Sequence, residues 1–280
     1  AGTTGGEFKA GAATTILNLG GDGVSWYDAK INLNGNLLRN DGLLRIDSSP
    51  AKQFVAGSDT FSNAGTVEYS EGTIDLAGNT FSNAGTMRII SGDTKRPTDS
   101  IGGGVFENAA AGTLNWQGSG ETTLTLDGVD LDNHGTANVE GGPTHTLAGT
   151  GSFHNQTGGT LNLKANSHLK LEGGDLVNDG TAVFFGEDGN RIISGSADFV
   201  NNGTFNHAYG GNGDNLDLRV DFLNNGTFDF QDRGDLLING GSVLSNHGVF
   251  KKSVHGGDPS YVFTSGRFVN EAGGEVLSED

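Results

Sequence analysis

The sequence predicts an all-β chain wound as a right-handed parallel β-helix, a β-solenoid, and three observations carry that expectation. Short runs alternate apolar and polar residues, as in Thr66-Val67-Glu68-Tyr69, Thr123-Leu124-Thr125-Leu126, His168-Leu169-Lys170-Leu171 and Asn215-Leu216-Asp217-Leu218, which is the period of half-buried strands. Glycine supplies 49 of 280 residues, yet 34% of the chain is hydrophobic and 16 residues are Phe, a composition that opposes disorder. The third observation is an internal repeat.

The repeat is an aromatic residue or Leu, any residue, Asn, a short turn, Gly, and often Thr. Its clearest copies are Phe61-Ser62-Asn63-Ala64-Gly65-Thr66, Phe81-Ser82-Asn83-Ala84-Gly85-Thr86, Phe199-Val200-Asn201-Asn202-Gly203-Thr204 and Phe222-Leu223-Asn224-Asn225-Gly226-Thr227. With the Asn as marker the copies fall at Asn40, Asn63, Asn83, Asn108, Asn133, Asn155, Asn178, Asn201, Asn224, Asn246 and Asn270, at intervals of 20 to 25 residues that average 23.

Each unit has three β-prone pieces: one after Gly-Thr, a middle piece such as Thr73-Ile74-Asp75-Leu76, and one entering the next Phe-x-Asn. Three strands per coil with no helix between them give a solenoid whose strands pair in parallel one coil along. A regular hexapeptide period, the mark of the left-handed form, is not seen. About twelve coils at about 4.8 Å each make a rod of roughly 50–60 Å. The expected organisation is one domain over residues 1–280, with one or more irregular coils in 1–35 and regular repeats in 36–280.

Each repeat residue has an expected task. Phe61, Phe81, Phe106, Phe153, Phe199, Phe222 and Phe268, with Leu38, Leu131, Leu176 and Leu244, should form an interior column, each burying on the order of 1.5–3 kcal/mol of apolar side chain. The Asn residues should stack as a ladder. The turn glycines Gly42, Gly65, Gly85, Gly135, Gly180, Gly203, Gly226 and Gly248 are expected to supply positive φ at the corner. The column Thr66, Thr86, Thr113, Thr136, Thr160, Thr181, Thr204 and Thr227 evokes the threonine arrays of ice-binding solenoids. A single column beside a glycine corner reads instead as structure.

Composition sets bounds on function. A formal charge of −18 disfavours nucleic acid and anionic membrane as partners, and the chain has no run long and apolar enough for a membrane helix. With no cysteine there are no disulfides, thiol nucleophiles or Cys-based metal sites. The start, Ala1-Gly2-Thr3-Thr4, has neither an initiator Met nor signal-peptide regions and reads as a processed chain or an excised piece.

Candidate chemistry is sparse. His134, His145, His154, His168, His207, His247 and His255 fall at scattered registers, read as solvated strand and turn residues, and form no triad or zinc set; no catalytic residue is assigned. Carboxylates recur at a corner that follows the ladder: Glu71, Asp93, Glu121, Asp188, Asp214, Asp235 and Asp258. Asp188, Asp214 and Asp235 lie on consecutive coils, where about 5 Å between carboxylates would suit Ca²⁺ or a retaining glycosidase, against the plainer reading of a solvated turn. Gly210-Gly211-Asn212-Gly213-Asp214 is similar to a calcium-binding nonapeptide, with Asn215 where an Asp is expected. Ca²⁺ is therefore the one cofactor considered.

The copies of Phe/Leu-x-Asn…Gly-Thr from about residue 36 to 280 resemble the passenger β-helices of secreted bacterial adhesins of the filamentous-haemagglutinin and autotransporter type. The resemblance implies an extracellular or cell-surface stalk, adhesin or filament, with a host or surface glycan or protein as receptor, and transfers no functional residue. A carbohydrate-active β-helix, a polysaccharide lyase or hydrolase using carboxylates near Asp188, Asp214 and Asp235, is the alternative. Coils of nearly constant length, with departures only at 87–104 and 206–215, leave little to wall a substrate groove. A solenoid also ends in unpaired strand edges, and neither end shows a cap, so end-to-end self-association or continuation of a longer β-helix is expected.

Overall fold

A computed structural model of the chain describes residues 7–9, 17–18, 24–26, 30–33, 35–46, 52–90, 95–98, 103–118, 120–141, 144–164, 168–184, 191–208, 215–231, 234–253, 261–263 and 265–279. All regular elements among them are strands, and they assemble into three parallel sheets of 12 strands each. The first sheet runs from Glu7–Lys9 to Tyr261–Phe263, the second from Leu17–Asn18 to Arg267–Asn270, and the third from Val24–Trp26 to Glu275–Glu279. Every strand pairs with the strand three elements later, so the chain visits the three sheets in turn, one strand of each per coil. This is a β-solenoid. The second sheet carries the Phe-x-Asn strands and is the ladder sheet; the third carries the Gly-Thr strands and is the threonine sheet.

Alternation along each strand sorts the residues. In Thr66–Tyr69 the side chains of Val67 and Tyr69 are buried while Thr66 and Glu68 face outward, and the same parity recurs in Thr86–Ile89 and Thr160–Leu163. Inward positions from the three sheets fill one continuous core. Leu38, Phe61, Phe81, Phe106, Leu131, Phe153, Leu176, Phe199, Phe222, Leu244 and Phe268 stand in direct register, as the repeat predicts. Ring centroids are 4.8 Å apart for Phe61 and Phe81 and 4.6 Å for Phe199 and Phe222, close enough for direct ring contact. A void lined by Trp116, Val139, Phe153, Leu161 and Leu163 measures about 10 Å³, at the lower limit for one water.

The asparagine ladder is continuous. Asn40 Nδ2 donates to Asn63 Oδ1 at 2.7 Å, and the same bond repeats, at 2.6–2.7 Å, through Asn83, Asn108, Asn133, Asn155, Asn178, Asn201, Asn224 and Asn246 to Asn270. From Asn40 to Asn246 each amide also reaches a backbone carbonyl of the next coil, as Asn201 does to Thr227 O at 3.0 Å. The main chain closes the corner: Asn201 O accepts the N–H groups of Asn225 and Gly226 at 2.8 and 3.0 Å. At the lower end Asn40 Oδ1 is buried without a donor. Strand register sets Asn18 beneath Arg39, and among the described residues the ladder begins at Asn40.

The turn glycines differ from expectation. None of Gly42, Gly65, Gly85, Gly135, Gly180, Gly203, Gly226 and Gly248 has positive φ. They are required by close approach of coil to coil: a Cβ on Gly226 would sit 2.0 Å from Gly203 O, and one on Gly65 would sit 2.2 Å from Gly42 O. Positive φ falls at other corners, such as Gly72 and Gly173. The threonine column is in register over its whole length, and its carbonyls accept the ladder amides, which gives it the structural task expected.

Replacing Asn201 or Asn224 by Ala removes a donor and an acceptor from a buried chain and should cost about 1–3 kcal/mol in urea melts, whereas Asn206→Ala, on the outer face, should stay within about 0.5 kcal/mol. Equal effects in the two classes would remove the ladder's special status. Gly226→Ala should cost at least about 1–3 kcal/mol, because backbone rather than a movable side chain blocks the methyl.

Candidate functional site

The acidic corner expected after the ladder is described only in part. Asp188 and Asp214 lie outside the described residues, as do Asp93, Asp258 and Gly210–Gly213 of the nonapeptide-like stretch. Asp235 is described: its backbone N–H donates to Asn215 Oδ1 at 2.6 Å and its carbonyl accepts Leu216 N–H at 3.0 Å, which tie it to the preceding coil. Asp217, at the end of the same stretch, is buried and engaged by Arg219 at 2.7 Å and by Asn239 Nδ2 at 2.8 Å. Among the described residues no group of three His, Asp or Glu is arranged to hold a metal ion.

A different acidic column is present, one residue before the aromatic or Leu of the repeat: Asp130, Asp175, Asp198 and Asp221. At Asp130, Asp175 and Asp221 the carboxylate caps the next coil. Asp130 Oδ1 accepts Ser152 N–H at 2.7 Å, Asp175 Oδ1 accepts Asp198 N–H at 3.0 Å, and Asp221 Oδ1 accepts Val243 N–H at 2.8 Å. Asp198 has a carboxylate on the coil below and another on the coil above. Burial first, then repulsion from Asp175 and Asp221, raises its pKa above the usual carboxylate value. A shallow polar cleft lies alongside, lined by Gly195, Ser196, Asp198, Arg219, Asp221 and Gly240.

The histidines divide into groups that the sequence reading did not separate. His134 and His247 are exposed at the corner after the ladder Asn, as expected, and His255 lies outside the described residues. His145 and His207 are fully buried, which corrects the expectation of solvated side chains. Strand parity explains it: Thr122 and His145 stand in register at an inward slot, and His207 shares the inward parity of Phe205.

His145 is fully satisfied. Trp116 Nε1 donates to Thr122 Oγ1 at 2.8 Å, Thr122 Oγ1 lies 2.7 Å from His145 Nδ1, and His145 Nε2 lies 2.6 Å from Gly141 O. The carbonyl can only accept, so the proton is on Nε2 and Thr122 donates to Nδ1. Burial lowers the His145 pKa, opposed by the bond to Gly141.

On the outer face of the first sheet His168 Nε2 and Ser194 Oγ are 2.6 Å apart. Burial, then Arg219 and Lys170, lowers the His168 pKa, while Asp217 and Glu121 act the other way. A hydroxyl beside an imidazole is the start of a nucleophile and base pair. Among the described residues no carboxylate bonds Nδ1, so the group that orients a triad imidazole is not part of this arrangement.

Set beside known proteins, the chain matches no family model, no curated protein and no solved structure. The class that fold and surface define is a parallel β-solenoid with an asparagine ladder.

Asp198 supplies a test of the acidic column. A carboxyl whose folded pKa is raised destabilises the fold above that pKa, and the penalty disappears as pH falls through it. Asp198→Asn should therefore raise the melting temperature at pH 7 by a few degrees at most, since the group is exposed and screened, and the gain should vanish in acid. A gain that is constant with pH would assign it to something other than charge.

Proposed function

We propose that the chain is a structural and adhesive β-helix, a stalk or fibre-forming segment of a bacterial surface or secreted protein, whose ends join further β-coils. The observation that carries this reading is the last described coil. Val276 stands in the core slot above Phe250, and Phe268 in the slot above Leu244, yet Val276 is 55% exposed and Phe268 is only half-buried. Asn270 Nδ2 bonds its own Gly274 carbonyl and has no amide above it. Core positions and a ladder donor left open at one end are the features that one more coil would cover. A parallel edge accepts such a coil only head to tail, whether it comes from a longer chain or from a second copy.

The flanks support a role in presentation. The threonine column and an outer amide row, in which Asn138 bonds Asn115 at 2.8 Å and Asn162 bonds Asn138 at 2.9 Å, give a long polar surface with regular spacing, suited to a glycan or protein receptor. The extracellular or cell-surface setting follows from the resemblance of the Phe/Leu-x-Asn…Gly-Thr repeat to secreted adhesin β-helices.

Sedimentation of the chain over a range of concentrations, with electron microscopy of the same samples, tests the end contacts. The expected result is rods that lengthen with concentration, and Val276→Lys should shorten them. A 28.8 kDa monomer at every concentration, with amide protection in the strand Glu275–Glu279 equal to that in Thr113–Gln117, would overturn the end-joining reading. Turnover of a polysaccharide, lost in an Asp188→Asn, Asp214→Asn, Asp235→Asn triple variant, would replace the structural reading with the enzymatic one.

A further inference from the structure

The inward column of the threonine sheet changes character along the rod. Through Leu163 and Phe184 it is apolar; above them, in register, stand His207, Phe230 and Lys252. The His207 imidazole is parallel to the Phe230 ring, 6° between planes and 4.7 Å between centroids, and lies 6.2 Å from Phe184. Lys252 Nζ is 4.3 Å from the Phe230 centroid. His207 is fully buried and neither ring nitrogen has a hydrogen-bond partner. His145, in contrast, has both nitrogens bonded.

An imidazole in this setting is tolerated only as the neutral ring. A charged one would sit between two phenyl rings with no acceptor, and its charged neighbours carry the same sign. Arg191, wholly buried on the strand Arg191–Gly195, and Lys252, on Val249–Ser253, are the charged groups whose field reaches it. The inward positions of Leu216–Arg219 and Leu236–Ile238 are Leu216, Leu218, Leu236 and Ile238. The carboxylates on adjoining strands are committed elsewhere: Asp217 pairs with Arg219, and Asp229 accepts from Gln231 and Ser253.

We infer that His207 is an acid-sensitive latch: protonation of its ring is incompatible with the closed stack of Phe184, His207, Phe230 and Lys252, so acidification opens the rod from its C-terminal end back to the strand Thr204–His207. Burial, then Arg191 and Lys252, brings the folded pKa from 6.5 down to about 3. A depressed histidine pKa means that the open state binds the proton first. Stability of these coils is complete above about pH 6.5 and is lost as pH falls from there toward 3, the opening equilibrium growing about tenfold per pH unit. Coils contact only their neighbours in a solenoid, so the loss can stay local and spread from the nearer end. This inference is independent of what the rod binds.

Hydrogen exchange of the whole chain between about pH 7.5 and 5.0, expressed as protection factors, tests it. Protection over 199–253 should fall roughly tenfold per unit below pH 6.5, while 60–108, which has no histidine, should change little. His207→Phe preserves the stack and should abolish the difference; His145→Gln should leave it. An unchanged pH dependence in His207→Phe, or no loss of protection in the parent chain, would overturn the latch. Should the Phe variant not fold, NMR of the parent chain decides: a His207 ring that titrates near pH 6.5 while residues 199–253 stay protected overturns it, and a ring that stays neutral until those residues open supports it.

Discussion

One hydrogen bond, repeated, sets the geometry of the rod. An asparagine amide at each ladder corner reaches the amide one coil up at 2.6–2.7 Å, and that distance is met only when successive corners lie directly over one another. Every other contact inherits this constraint. The residue two positions earlier falls over its counterpart and produces the Phe and Leu column. The glycine that follows must let a carbonyl approach to where a Cβ would stand. The threonine beyond it offers its carbonyl to the ladder amide one coil below. Exposed ion pairs such as Arg45 with Glu68 at 3.1 Å follow the register but contribute little to holding it.

The parts of the fold most legible in the sequence are those where the corner admits one residue type. Asn and Phe recur because each copy faces the same neighbours, so the period and the ladder could be read directly. The glycine was legible as a requirement but not as a mechanism, since positive φ and exclusion of a Cβ both select the same residue. The first sheet was the least legible. Its strands vary from Lys52–Phe54 to the six residues of Thr144–Gly149, and no residue marks its corners in the way Asn marks the ladder.

The buried cations and histidines show where composition misled and parity would have served. In Thr-Phe-Asn-His the last residue is two places after a core Phe, and in Phe250-Lys251-Lys252 the second lysine is likewise; both point inward. The acidic column was missed for another reason. Asp175, Asp198 and Asp221 recur every 23 residues just before the repeat's Leu or Phe, a signal visible only when counting backward from the ladder. The carboxylates of Asp130, Asp175 and Asp221 cap backbone N–H groups, so repetition of an acidic residue here reflects the coil's own geometry.

The ladder is also a vector. Its ten amide bonds all point the same way, N–H toward the C-terminal coil, whereas backbone groups along a parallel strand alternate in direction. Amide dipoles of roughly 3.5 D aligned head to tail add, as they do in an α-helix, and place partial positive charge at the C-terminal end of the row. The last coil carries Glu271 and Glu275, acidic residues at the end where such a field favours them. The ladder thus contributes an electrical polarity along the rod's axis, one that grows with each coil added.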